Sequence, residues 1–216
     1  MTPCAGDKVS LERALSVYSR GVCREVYKAR LEQYPTPTSL AAHIAWTARM
    51  KNTVTGKTIA DFGCGSGVLA VASIIAGSRR AVCIDVDEEM VRCTQRVVSY
   101  DYPWALHKLI PVVSDATTIE LANIDTVLMN PPFGVVKHNR GLDMKFLESA
   151  LKNAKNVFSL HKYSEGFLRK LEKLKEATGF RVMWLEKVDL GIPMIYQRHR
   201  RKIYRVKVLF IGITKE

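Results

Sequence analysis

Lys57-Thr-Ile-Ala-Asp61-Phe-Gly63-Cys-Gly65-Ser-Gly67 is the stretch that decides the fold. Its first half is a short apolar run that reads as a buried strand; three alternating glycines follow, and Val68 to Ala76 has the composition of a helix. A strand that passes through a glycine loop into a helix opens a βαβ unit, and so a parallel sheet. The glycines let the main chain approach a ligand closely, and the helix behind them offers free N–H groups. A dinucleotide site expects G-x-G-x-x-G. Here the glycines fall at 63, 65 and 67, and Asp61 precedes them. An acid in that place repels a pyrophosphate and favours a cation. S-adenosylmethionine carries an ammonium and a sulfonium and no phosphate, so the loop reads as a methyl-donor site and a nicotinamide-dependent oxidoreductase is disfavoured.

The pattern continues downstream. Arg80-Ala-Val-Cys-Ile-Asp85 is a second apolar strand ending in an acid, placed to accept the ribose hydroxyls, while Asp87 suits the cap of a helix running to Ser99. A third strand, Leu109 to Val113, leads to Asp115, which is placed to accept from an adenine amino group or to be an ordinary loop aspartate. The fourth, Ile124 to Met129, ends in Asn130-Pro131-Pro132-Phe133. Two prolines take the backbone out of the sheet stiffly extended and hold Asn130 at the carboxyl end of a strand, where open α/β sheets place ligands. A planar aromatic amine is a poor nucleophile because its lone pair is delocalised. The Asn130 side-chain oxygen and the Pro131 carbonyl are two fixed acceptors for its N–H bonds, and Phe133 is a stacking surface for its ring. By itself Asn-Pro-Pro also reads as a plain turn. Four consecutive strand ends carrying a glycine loop, an acid, an acid and Asn-Pro-Pro-Phe do not.

The flanks are less specific. Lys8 to Leu31 carries Leu11, Leu15, Tyr18, Val22 and Val26 at helical spacing, so residues 1–30 read as a helical arm interrupted or bent near Gly21. Tyr34-Pro35-Thr36-Pro37-Thr38 is extended, with Thr36 or Thr38 capping a helix from Ser39 to Met50. Val135 to Leu142, with Lys137 and His138, reads as a mobile loop beside the target base or a surface connection. Asp143 is the expected cap of a helix to Asn156, Val157 to Leu160 a fifth strand, and Ser164 to Thr178 an amphipathic helix. Gly179–Lys187 and Arg205–Ile213 read as closing strands. The segment between them packs Arg198, Arg200, Arg201 and Lys202 beside Tyr196 and Tyr204, suited to phosphates and unpaired bases.

Composition agrees. The 216 residues, 47% hydrophobic, fit one large domain, and a formal charge of +12 points to an anionic partner, with nucleic acid first. No eighteen-residue apolar run suggests a membrane span, and the first residues do not read as a signal peptide, so a soluble, cytoplasmic protein is expected. Five cysteines (Cys4, Cys23, Cys64, Cys83, Cys93), without a Cys-x-x-Cys pair, argue against a zinc knuckle or a disulfide framework and read as small buried hydrophobes; no metal site is expected.

These residues together resemble class I methyltransferases of the adenine-N6 branch. More narrowly, Leu31-Glu-Gln-Tyr-Pro-Thr36, Ala60-Asp-Phe-Gly-Cys-Gly-Ser-Gly-Val-Leu69, Asp85-Val-Asp87, Met129-Asn-Pro-Pro-Phe-Gly134 and Ser159-Leu-His-Lys162 resemble the methyltransferase-like protein five family, from Leu31 to the C-terminus. The resemblance implies an α/β, Rossmann-like methyltransferase domain over 31–216, with a seven-stranded, mainly parallel sheet, helices on both faces and an antiparallel closing strand. It implies S-adenosylmethionine as cofactor and an adenosine of small-subunit ribosomal RNA as acceptor. Gln33, Tyr34 and Thr36 would then close over the donor, and Asp61, Gly63 and Gly65 hold its amino-acid part. Asp85 would hold the ribose and Asp115 the adenine; Asn130, Pro131, Pro132 and Phe133 would grip the target base, with Asn130 touching the donor as well. Eukaryotic members of that family work with a small zinc-binding activator protein that shields an exposed sheet edge. Two rivals stay open from the residues alone: a protein glutamine methyltransferase, whose carboxamide presents the same amine, and a catalytically idle RNA-binding module.

Overall fold

The computed structural model describes residues 5–193 and 203–215. One seven-stranded sheet organises them: β1 Thr58–Phe62, β2 Arg80–Asp85, β3 Leu109–Val113, β4 Ile124–Met129, β5 Ala154–Lys162, β6 Arg181–Pro193 and β7 Ile203–Thr214, in the order β3-β2-β1-β4-β5-β7-β6. The first five are parallel, and β7 runs antiparallel between β5 and β6. The class read from the sequence is the one found. Every residue of β1 is buried, as expected of a central parallel strand covered on both faces. Its neighbours on the two sides are β2 and β4, so the strand order reverses at β1 and opens a crevice at the carboxyl ends of these strands.

Among the described residues six helices make the outer layers: α1 Lys8–Ala14, α2 Thr38–Met50, α3 Val68–Ile75, α4 Glu88–Asp101, α5 Leu142–Asn153 and α6 Glu165–Thr178. One apolar cluster joins α1 to α4 to one sheet face through residues such as Leu11, Ile44, Leu69, Met90 and Phe158. The other joins α5 and α6 to the opposite face through Leu147, Phe167, Val127 and Ile211. All eight residues of α3 are buried, which is why its sequence is apolar all round rather than amphipathic.

Several local expectations are corrected. The N-terminal arm is interrupted near Gly21, as read, but only Lys8–Ala14 of it is α-helical. The apolar residues Leu11, Leu15 and Tyr18 are buried as their spacing predicts. After Ala14, however, the chain passes into short 3₁₀ turns at Ser16–Arg20, Arg24–Val26 and Ala29–Leu31, broken where Gly21 and Cys23 take left-handed backbone conformations. Helix α2 begins at Thr38 with Pro37 as its cap residue, because Thr36 spends its hydroxyl elsewhere. Helix α5 starts after Gly141 in the left-handed region (φ +77°), so Asp143 lies inside the first turn rather than capping it. There the Asp143 carboxylate lies 3.5 Å from the Nδ1 of the buried His161, whose Nε2 is 2.8 Å from the Ser159 hydroxyl.

The four cysteines among the described residues, Cys23, Cys64, Cys83 and Cys93, are buried, as read, but against expectation they are also paired in disulfides. Cys23 is joined to Cys93 of α4, and Cys64 of the glycine loop to Cys83 of β2. The partners are 70 and 19 residues apart in sequence and meet only in the fold.

Candidate active site

The loop between β1 and α3 is tied to the neighbouring strand: the amides of Gly63 and Cys64 both donate to the Ile84 carbonyl, at 2.8 and 2.9 Å. Gly65 is gripped from two sides. Its N–H donates to Asp85 Oδ2 at 2.9 Å, and its carbonyl accepts from the Thr94 hydroxyl at 2.6 Å. Its backbone is left-handed (φ +52°), and a Cβ there would meet nothing within 4 Å, so its bare side opens onto the cavity whose wall it forms.

Beneath this loop Asp61 is almost wholly buried. Its Oδ2 accepts from the Ala70 amide in the first turn of α3 at 2.9 Å, whereas its Oδ1 has no hydrogen-bond partner among the described residues. Burial pushes this carboxyl up to about 8, against the pull of the Ala70 amide and with a further push from Asp85. An orphaned, buried carboxylate oxygen is a costly group that a cationic ligand would satisfy. Asp85 ends β2, accepting Gly65 N–H on one oxygen and Asp87 N–H on the other, 2.9 Å each. Each oxygen keeps a lone pair for a hydroxyl. Asp115 is exposed, and its Oδ1 closes a turn by accepting from the Thr117 amide and hydroxyl at 2.8 and 2.7 Å.

Asn130 leaves β4 with its amide in two hydrogen bonds: Nδ2 donates to the Thr36 hydroxyl at 3.0 Å, and Oδ1 accepts from the Tyr34 hydroxyl at 3.3 Å. Phe133 is buried behind the wall, its ring 5.7 Å from that of Tyr34.

The segment that carries Tyr34 and Thr36 is latched to α4. Asp87, the cap of α4, accepts from Lys28 Nζ at 2.6 Å on Oδ1 and from Gln33 Nε2 at 3.0 Å on Oδ2. Burial works against the Asp87 charge, but Lys28 and Gln33 hold its carboxyl below the usual range. The same segment restrains the loop after the prolines. Glu32 accepts from Val136 N–H at 2.7 Å and from Asn139 Nδ2 at 3.2 Å, and the Arg30 carbonyl meets the His138 ring at 2.8 Å. Residues 135–142, read as mobile or as a surface connection, are thus tethered through a buried Asn139, while Lys137 and His138 stay exposed.

These elements enclose a cavity of about 270 Å³. Of the residues singled out from sequence, Gln33, Tyr34, Gly63, Gly65, Asp85, Asp115, Asn130 and Pro132 reach its wall. Thr36, Asp61, Pro131 and Phe133 stand behind that wall. Arg198, Arg200, Arg201 and Lys202 lie outside the described residues, as does the side chain of Tyr204. Sequence reasoning missed the apolar wall of Tyr27, Met90, Leu142 and Phe146, which has no motif of its own. It missed the tether of Glu32 too, although that residue lies inside the quoted 31–36 stretch.

Comparison with known proteins places this geometry. The methyltransferase small domain model matches residues 44–183. The rRNA N(6)-adenosine-methyltransferase Mettl5 of Drosophila melanogaster is 36% identical over 202 residues, covering 92% of this chain and 93% of the relative. METTL5 of Danio rerio, also an rRNA N(6)-adenosine-methyltransferase, is 33% identical over 197 residues, covering 87% and 90%. The crystal structure of PH1948 from Pyrococcus horikoshii superposes with a TM-score of 0.80 at 28% identity, over 96% of each chain.

Proposed function

We propose that this chain, which belongs to the methyltransferase small domain family alongside the METTL5 proteins, methylates the exocyclic amine of an adenosine in small-subunit ribosomal RNA. It is a methyltransferase, and its cofactor is S-adenosylmethionine, which when bound supplies an electrophilic methyl group. The orphaned Asp61 oxygen and the open side of Gly65 fit the donor's ammonium end, and Asp85 and Asp115 fit its ribose and adenine. Gln33, Tyr34 and Thr36 belong to the segment that lies over this cavity.

One observation carries the acceptor reading: Asn130 is held at the end of β4 beside the cavity, its amide oxygen engaged by a single hydrogen bond. That oxygen and the Pro131 carbonyl would accept the two N–H bonds of the target amine and turn its lone pair toward the methyl. Positioning supplies most of the acceleration; the sequence requires no dedicated general base. Pro132 and the Phe133–Tyr34 pair stiffen the wall against which the base, turned out of its surroundings, would lie. Lys137 and His138 at the rim, with Arg198, Arg200, Arg201 and Lys202, would meet the RNA backbone.

The reading extends to a small zinc-binding activator protein. Edge strand β3 leaves Ile110 and Val113 39% and 51% exposed, a surface that such a partner would cover. Among the described residues no helix is long and apolar enough to cross a membrane, and action on ribosomal RNA in the cytoplasm is part of the proposal.

The test is transfer of label from tritiated S-adenosylmethionine to separated small-subunit RNA, large-subunit RNA, transfer RNA and a release-factor protein. Labelled N6-methyladenosine from small-subunit RNA is the expected result. Label in protein would transfer the site to a glutamine carboxamide instead.

A further inference from the structure

We infer that Tyr34 and Thr36 are positioning residues that decide which end of the Asn130 amide faces the acceptor. This deepens the activity proposed above and rests on it. Resemblance assigns both side chains to the donor; the hydrogen bonds assign them to Asn130.

The argument begins with the symmetry of an amide. Oxygen and NH₂ occupy nearly the same shape, so an asparagine rotated by half a turn fits the same space with opposite polarity. For an acceptor amine that rotation is decisive: it would set two donors against each other where an acceptor is needed. Here the two ends are separately engaged, Oδ1 by Tyr34 and Nδ2 by Thr36. Hydroxyls can serve in either sense, so the polarity needs a further cause. Burial keeps the Tyr34 phenol protonated far beyond neutral pH, and a phenol gives up its hydrogen to a carbonyl far better than it receives one. With Oδ1 drawn to Tyr34, Nδ2 is left for Thr36, whose hydroxyl makes no other hydrogen bond among the described residues.

The lone-pair count closes. An amide oxygen accepts twice; Tyr34 uses one site and leaves one for the target N–H. Both hydroxyls are themselves immobilised. Tyr34 packs on Phe133, Gln33 beside it is held by Asp87, and Thr36 is buried immediately ahead of the first residues of α2. The two partners sit 96 and 94 residues from Asn130 in sequence, so the device exists only in the fold.

The test compares wild type with Tyr34→Phe, Thr36→Val and Thr36→Ser, all nearly isosteric. Single-turnover methylation of small-subunit ribosomal RNA at saturating donor gives the chemical step, and calorimetry gives the affinity for S-adenosylmethionine. We expect Tyr34→Phe and Thr36→Val each to slow the chemical step by about tenfold or more. Donor affinity should stay within about twofold, because each lost hydrogen bond runs to Asn130. Thr36→Ser, which keeps the hydroxyl, should recover most of the rate. Donor affinity falling in step with the rate would overturn the inference and return both residues to the donor. Unchanged rates in Tyr34→Phe and Thr36→Val would overturn it too. Failure of the wild type to label the RNA while binding the donor would instead remove the proposed activity, and this inference with it.

Discussion

At the scale of single residues, the site is a set of unsatisfied valences. Asp61 is the clearest. With its carboxyl pushed up to about 8 by burial, it is mostly protonated at pH 7 in the free protein. An ammonium bound at the cavity wall in front of it would favour the ionised form and expel that proton. Calorimetry of donor binding at pH 7 in buffers of different ionisation enthalpy should therefore report net proton release, and affinity should rise as pH approaches 8 from below. The Asp61→Asn variant should lose the buffer dependence. Asn130→Ala should abolish turnover and leave donor binding nearly intact in the same calorimeter, since it removes the acceptor that orients the target amine. The residues legible in sequence were those whose meaning is local: an acid before a glycine loop, an acid at a strand end, Asn before two prolines. Tyr34 and Thr36 were legible as residues of interest but not in what they touch, because their partner comes from β4.

At the scale of elements, strands were read more accurately than helices. β2, β3 and β4 lie where the apolar runs placed them, because a buried parallel strand declares itself by a short unbroken run between turn residues. The caps of α2 and α5 were misread for two reasons: Thr36 is bonded to the distant Asn130, and Asp143 falls inside the first turn because α5 starts after a left-handed Gly141. The segment from Lys28 to Thr36, irregular apart from the 3₁₀ turn at Ala29–Leu31, behaves as one element latched at Asp87. Asp87→Ala removes the N-cap of α4 together with its bonds to Lys28 and Gln33. A loss of about 1 kcal/mol in stability is expected from the cap. Hydrogen exchange should quicken from Lys28 to Thr36 as well as in the first turn of α4. If only the helix responds, the latch is not holding the segment.

At the scale of the whole molecule, the sheet order opens a crevice at the carboxyl ends of the central strands, and the charge of +12 suits a polyanionic partner. The fold class was legible because alternating strands and helices leave few topologies open. Acid sensitivity was not, because it depends on one enclosed side chain. Burial holds His161 below its ordinary value near 6.5, opposed by Asp143, so it is neutral in the folded chain. The unfolded chain takes up that proton at about 6.5. Stability is therefore constant with respect to this group above that pH and is lost as pH falls through it. Melting temperatures between pH 7.5 and 5.5 should drop, and the drop should be shallower in His161→Gln.

The disulfides also give the chain a covalent map that its linear sequence does not have. The bridge from Cys64 to Cys83 lies wholly inside the loop closed by Cys23 and Cys93, so the polypeptide contains one ring nested within another. A protease that nicks the outer ring once, between residues 23 and 64, leaves two pieces that still travel as one molecule until the outer bridge is reduced. A nick within the inner ring is held twice over, and either bridge alone keeps the halves together.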